Sequence, residues 1–373
     1  MERPRIRHIA VNVQDREKCS EYYKKVFGLE EKYRGENGII YLSDGFVKSS
    51  FRFNFFTLLI LIISVLWFFG IVFAQDLPKV TIGHSSRSIE AINFFMAEQH
   101  GYFKAEGLDV RIVQIRANIA IAAALAGDVD VLGSITSTIS AIQKGAPIKV
   151  LAVTLNRPLF FLVARPEFKS ISDLKGKVLG VTSIGGAQHT AVRHMLRKGG
   201  LNPDVDATTI LAGDVPTQLQ ALVSNTIQAA ALSPPPLIVA RDRFKMNVLA
   251  SVMNEYPTLQ NGIAVPEKIF KDRAKVIRGI LRARTRANKL FHENPQAAVG
   301  VIAKILNVDQ ETARETYILS KPAFTQNGLV TEKEANEYLS SDAERLKIKE
   351  PLPFSQVFNF SLQSEVNKEL GVP

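Results

Sequence analysis

Cysteine is almost missing from this chain: Cys19 is the only one in 373 residues. That excludes a disulfide framework and a four-cysteine zinc site within one chain. The six histidines form no H-E-x-x-H, so a helix-borne zinc protease site is absent as well. The glycine-bearing stretch 180–186 is not followed by G-K-[ST], and no G-x-S-x-G occurs anywhere. A phosphate loop and a serine-hydrolase elbow are thereby excluded, and no catalytic residue is assigned. No basic helix is interleaved with exposed aromatics, so nucleic acid is not expected as a partner. With 46% hydrophobic and 22% charged residues, the chain is neither a disordered tail nor a multi-span membrane protein. The net charge of +10 divides into +2 from residues 1–50, +1 from Arg52 and +7 from Asp76 onward. Such a bias suits attraction of a small anion, and equally a solvated basic surface.

Charge is wholly missing from residues 53–75. Within them, 55–73 are long enough to span a bilayer, and Thr57 and Ser64 are too few polar residues for the stripe a soluble helix keeps. Lys48 and Arg52 precede the run and Asp76 follows it, which orients the C-terminal side outward. Val72-Phe73-Ala74 offers a signal-peptidase site before Gln75. Residues 49–75 are therefore expected to be a signal peptide or a signal anchor.

Upstream, residues 1–48 read as a strand at 6–13, a helix at 16–26 and strands around 32–34 and 38–43, a short βαββ fragment. The wording IRHIAVNVQDREKCSEYYKKVFGLEEKYRGENGIIYLSDG resembles the opening of a glyoxalase/vicinal-oxygen-chelate module, truncated by the apolar run. The resemblance places His8 at a metal-ligand position, but one imidazole cannot hold a divalent ion, so no metal is expected. The fragment is read as a translated extension or gene fusion.

From Pro78 onward β-rich and helical segments alternate, the pattern of an α/β fold with mainly parallel sheets. Strands are expected at 79–83, 108–112, 129–132, 148–154, 178–181, 208–211, 227–232, 246–250 and 263–265. Helices are expected at 88–100, 118–126, 136–144, 187–197 and 215–223, then at 267–292, 295–306, 310–317 and 331–345. A faint repeat pairs Ala124-Leu125 and Val131-Leu132-Gly133-Ser134 with Ala221-Leu222 and Ala230-Ala231-Leu232-Ser233.

The stretches VTIGHSSRSIEAINFFMAEQHGYFKAEGLDVRIV, ALAGDVDVLGSITSTISAIQKGAPIKVLAV and SISDLKGKVLGVTSIGGAQHTAVRHMLRKGGL resemble a type II periplasmic solute-binding protein of an ABC importer. The group is that of nitrate, taurine and aliphatic-sulfonate binders, with the thiamine-pyrimidine precursor binders. The resemblance implies lobe I at 78–159, lobe II at 165–260, and a return to lobe I with C-terminal helices at 261–373. It also implies two crossing strands near 160–165 and 261–265. The implied protein is a monomer that captures a small solute, an anionic organic one of the sulfonate, taurine or nitrate kind or a pyrimidine-like one, uses no cofactor and delivers its cargo to a permease in the inner membrane. The related pyrimidine synthases carry a cysteine-rich motif, whereas the part beyond residue 75 has no cysteine, which argues against their iron chemistry. A rival reading is a membrane-anchored periplasmic sensor or adaptor held by residues 53–75. The mature N-terminus discriminates the two, since a start at Gln75 removes the anchor.

Ligands of open α/β sheets sit beyond the carboxyl ends of strands, at helix N-termini that carry partial positive charge. Four turns have fitting residues: His84-Ser85-Ser86, Ser134 with Thr136, Ser183 with Gly185 and Gly186, and Ser233 before Pro234. His189 lies beside the third turn. These ten residues are the candidate ligand contacts. Each serine could instead be an ordinary helix cap. Phe94, Phe95 and Tyr102 could stack on a ring, although the spacing of the phenylalanines suits core packing.

Overall fold

Short apolar strands and amphipathic helices alternate because each strand must bury both faces under helices. The computed structural model describes residues 16–34, 40–43, 77–253, 255–256 and 258–373. The chain divides into two units, Met1–Gln75 and Asp76–Pro373. In the first, a helix Arg16–Phe27 precedes the antiparallel strands β1 (Glu30–Arg34) and β2 (Ile40–Ser43). The strand expected at 6–13, His8, the apolar run 53–75 and the cleavage point lie outside the described residues. Among the described residues no helix is long and apolar enough to cross a membrane.

The second unit holds ten strands: β3 (Lys79–His84), β4 (Asp109–Gln114), β5 (Val131–Ser134), β6 (Ile148–Leu155), β7 (Phe161–Ala164), β8 (Lys177–Val181), β9 (Ala207–Leu211), β10 (Ala229–Leu232), β11 (Asn247–Ser251) and β12 (Asn261–Pro266). They form two five-stranded sheets, ordered β4-β3-β5-β12-β6 and β11-β7-β10-β8-β9. Read from β4 and from β9, the two orders are the same, with β5 and β10 third in each. The faint sequence repeat falls on those two strands and the helices that feed them, Ala117–Ala126 and Val215–Val223.

The expectation of mainly parallel sheets needs correcting. β3 runs parallel to β4 and β5, and β8 to β9 and β10, but β12 is antiparallel to β5 and β6, and β7 to β10 and β11. The reason is that β7 and β12 are each laid down just after the chain has crossed from the other sheet, and so enter from the opposite direction. Between β6 and β7 the chain passes over 156–160, and between β11 and β12 over 252–260, of which 252–253, 255–256 and 258–260 are described. These two passages run side by side: Thr258 N–H donates to Asn156 O (3.4 Å), Val252 N–H to Phe160 O (3.2 Å), and Leu159 N–H to the Gln260 side chain (3.3 Å).

Alternating side chains of each strand feed layers on opposite faces. In β10, Ala229 and Ala231 pack with Leu179 and Leu196, whereas Ala230 and Leu232 pack with Leu219 and Leu237. The C-terminal helices cover the first sheet, with Ile280, Phe291 and Ile302 packed against Ile82 and Val131. The helix expected over 267–292 is two helices, Glu267–Asp272 and Ala274–Glu293, broken at Arg273. Its guanidinium pairs with Asp130 and donates to Lys79 O (2.8 Å), a tether that holds the break against β3. A last helix, Ser361–Leu370, went unrecognised in the sequence.

Candidate functional site

The carboxyl ends of β3, β5 and β8 open on one cleft between the two sheets. Seven of the ten expected residues line it: His84, Ser85, Ser86, Ser134, Thr136, Ser183 and Gly186. The space enclosed between these walls is small, about 50 Å³.

The hydroxyls are not spent on capping. Ser134 stands at the N-cap of the helix Ile135–Gln143 without a side-chain cap bond, and the helices Ala187–Lys198 and Pro236–Arg243 begin at Gly186 and Pro235, also without one. Ser134 Oγ instead accepts from Ser85 N–H (3.1 Å) and lies 2.9 Å from Ser85 Oγ. Thr136 donates to Leu259 O (2.8 Å), in the second crossing passage. Ser86 Oγ accepts from Val215 N–H (3.3 Å) at the start of the helix Val215–Val223, so it joins one sheet's turn to the other sheet's helix. Ser183 Oγ is buried and has no hydrogen-bond partner among the described residues.

Three expected contacts stand outside the lining. Gly185 has φ +80°, a left-handed turn that glycine adopts at no steric cost, and its N–H donates to His189 Nδ1 (3.0 Å). His189 therefore holds the turn through its ring nitrogen. Burial pushes its imidazole down to about 4, helped by Arg193 and Arg345. Ser233 is fully buried and sits near the Glu90 carboxyl. Phe94 and Phe95 pack in the core, as their spacing suggested.

His84 is buried edge-on to Phe95, with ring centroids 5.6 Å apart, and Nδ1 has no partner among the described residues. Burial drives its pKa from 6.5 to about 4, with Arg87 pushing the same way and the Ser86 backbone and Asp214 opposing. The ring is neutral at pH 7. Below pH 6.5 the unfolded imidazole takes a proton that the folded one refuses until about pH 4, so stability falls as pH drops through that window. The loss through this residue is about 3 kcal/mol across the window. Denaturant titrations between pH 7 and pH 4 check it: His84→Gln is expected to flatten the slope by that share.

The lining residues missed in the sequence include Glu90, Gln188, Gln260 and Asn261. Gln188 accepts from Thr182 N–H (2.7 Å) and donates to Ala231 O (2.7 Å), which fixes the β8 turn against β10. Gln260 and Asn261, where the second crossing passage meets β12, donate to the Glu90 side chain (3.3 Å) and the Glu90 carbonyl (3.1 Å). These partners are 170 and 171 positions apart, and no local spacing signals them.

Among the described residues that line the cleft none is lysine or arginine, and Glu90 is the one acid. Positive potential there comes from the helices Ile135–Gln143, Ala187–Lys198 and Val215–Val223, each of which starts at the lining. The sheets are drawn together outside the cleft as well: Gln114 donates to Asp214 (2.8 Å), and Arg241 makes a two-pronged pair with Glu315 (2.8 and 2.9 Å).

A family model described as NMT1/THI5 like matches residues 88–298. The riboflavin-binding protein RibY of Chloroflexus aurantiacus is 27% identical over 232 residues, 60% of this chain, and the match spans 65% of that protein's length. Among solved structures, the alkanesulfonate-binding protein SsuA of Xanthomonas axonopodis pv. citri, bound to MOPS, is similar with a TM-score of 0.61 at 13% identity over 77% of this chain and 97% of that one. The periplasmic nitrate-binding protein NrtA of Synechocystis PCC 6803 is similar with a TM-score of 0.61 at 15% identity over 80% of this chain and 90% of that one.

Proposed function

The chain belongs to the NMT1/THI5-like family, and from that premise we propose that the unit beginning at Asp76 is the exported solute-binding component of an ABC importer. Its two-sheet body has the α/β fold of periplasmic binding proteins. On this reading the protein is a monomer whose two lobes close over a small anionic organic solute and offer the closed form to a permease. Closure is a hinge motion at the paired passages 156–160 and 252–260, with ligand favouring the closed population through contacts to both lobes.

The observation that carries the reading is a set of buried polar atoms on the wall of one cleft. His84 Nδ1, Glu90 Oε2 and Ser183 Oγ all lack a partner among the described residues. Such groups are costly unless something meets them, and a polar solute would do so. An acidic group of the solute fits at the starts of Ile135–Gln143 and Ala187–Lys198, on opposite walls, where hydroxyls and helix ends favour negative charge without a lysine. Binding fits the cleft better than catalysis. Among the described residues the Ser85 and Ser134 hydroxyls engage each other and His84 Nδ1 engages no hydroxyl.

The names of the relatives set the trial solutes: alkanesulfonates, nitrate and riboflavin, with taurine and pyrimidines added. Melting of the full-length chain with each at saturating concentration is expected to rise by several degrees for at least one, since a ligand present at 1,000 times its Kd adds about 4 kcal/mol. A flat response across the whole set overturns the assignment.

A further inference from the structure

Glu90 is a charged residue type in a cleft that otherwise holds hydroxyls, amides and one neutral imidazole. It lies in the 3₁₀ turn Ile89–Ala91 that follows the β3 turn, and only 6% of its surface is exposed. One carboxyl oxygen, Oε1, accepts from Gln260 Nε2 at 3.3 Å, a long bond. The other, Oε2, faces no donor in hydrogen-bond geometry among the described residues. The hydroxyls of Ser88 and Ser233 lie near enough to favour the anion, yet neither completes a bond to Oε2. A buried carboxylate with a free oxygen and no cation among the described lining residues is electrostatically unbalanced.

We propose that the solute carries a hydrogen-bond-donating nitrogen, an ammonium or an amino N–H, that seats on Oε2 of Glu90. The inference rests on the binding role given above and narrows its solute class. An aminosulfonate or an amino-substituted heterocycle satisfies both ends of the cleft: its acidic or acceptor groups at the helix starts and its nitrogen at Glu90. Nitrate and plain alkanesulfonates leave the carboxyl unmet. Burial holds the Glu90 carboxyl above the usual range, with Ser88, Ser233 and Gln260 partly opposing. A donor nitrogen on the solute meets the free oxygen Oε2 from outside. Gln260 and Asn261 fasten Glu90 to the second crossing passage, so filling the Glu90 position also steadies the hinge.

Calorimetry on the full-length chain tests this with isosteric pairs: taurine against ethanesulfonate, and 4-amino-2-methylpyrimidine against 2,4-dimethylpyrimidine. The amino member of a pair is expected to bind at least about tenfold more tightly, the share of one hydrogen bond to a charged group. Glu90→Gln, close in shape to the protonated acid, is expected to bring that ratio near one while the ligand-free melting temperature stays close to that of the parent. Should Glu90→Gln melt early, Glu90→Asp, which withdraws the carboxyl by one methylene, is read in its place with the same expectation. Equal binding within a pair, or a ratio that survives both variants, overturns the inference and leaves the importer role standing. If neither pair binds but another trial solute does, a solute without a donor nitrogen overturns the inference, and one with a donor nitrogen whose affinity falls in Glu90→Gln supports it. If no solute binds, the importer role fails and the inference falls with it.

Discussion

Gly186→Val is expected to leave the protein folded and to weaken solute capture by about 100-fold. Gly186 begins the helix Ala187–Lys198 with φ −80° and ψ 175°, an extended conformation that valine also adopts. The position tolerates a side chain as far as its backbone is concerned; what it lacks is room across the cleft. A Cβ there would come within 3.3 Å of Ser137 Oγ, on the helix of the opposite sheet, and within 3.4 Å of Ser183 Cβ. If the lobes close as proposed, two further methyl groups act as a wedge against Ser137, beyond their contact with Ser183 on the same turn. Overpacking costs of about 1–3 kcal/mol against Ser137 then burden the closed state most, and that share of the cost appears in affinity. Calorimetry with a solute found to bind the parent, together with the ligand-free melting temperature, separates the two effects. Gly185→Val is the contrast. At φ +80° valine is strained in open and closed forms alike, and no side-chain or backbone atom other than Arg345 Nη1, at 3.6 Å, approaches the new Cβ. That substitution should lower stability and spare affinity. Equal affinity loss in both would show that the Ser137 approach does not limit closure.

The largest effect on stability is expected at Gly262. This residue lies in β12, in the middle of the first sheet, with β5 on one side and β6 on the other. A Cβ would overlap the carbonyl oxygen of Ala152 in β6 and stand 3.0 Å from Ile135 Cδ1. Neither can yield easily. The first is backbone within a paired strand, and Ile135 is fully buried at the start of its helix. Gly262→Ala is therefore expected to cost about 4 kcal/mol or more and to lower the melting temperature by about 8 °C, with m-values unchanged if the fold survives. Because β12 follows directly on the second crossing passage, a displaced β12 would also shift Gln260 and Asn261 away from Glu90. Urea denaturation and heat melting of the single variant measure it. A loss below about 1 kcal/mol would mean that β12 and β6 can separate locally at little cost.

Much of the architecture was legible in the order of residues because it is set by short-range rules. Strand-length apolar runs such as Lys79–His84 and Ala229–Leu232 and the amphipathic Ala187–Lys198 announce themselves through periodicity. Small polar residues at strand ends mark where helices begin. The four turns were recognisable for that reason, and the structure gathers all of them at one opening or just behind it. The same rules could not separate a hydroxyl that caps a helix from one that faces a cleft, since both occupy the first helical positions. At Ser134 and Ser183 only the three-dimensional arrangement decides that the cap bond is not made.

What the sequence determined by itself was the alternation of elements, the family resemblance and the polar character of the strand ends. What only the tertiary structure decided was orientation and partnership over long separations. It turned β7 and β12 antiparallel, broke the helix at Arg273 where Asp130 and Lys79 draw the guanidinium inward, and set Glu90 between Ser233 and Gln260. Periodicity is a property of neighbours a few residues apart, whereas the charge state and exposure of a carboxyl depend on groups that more than a hundred intervening residues have carried back to it. Glu90 looks in the sequence like any acid near a helix start, and becomes the charged feature of the cleft only once the chain has crossed twice and closed over it.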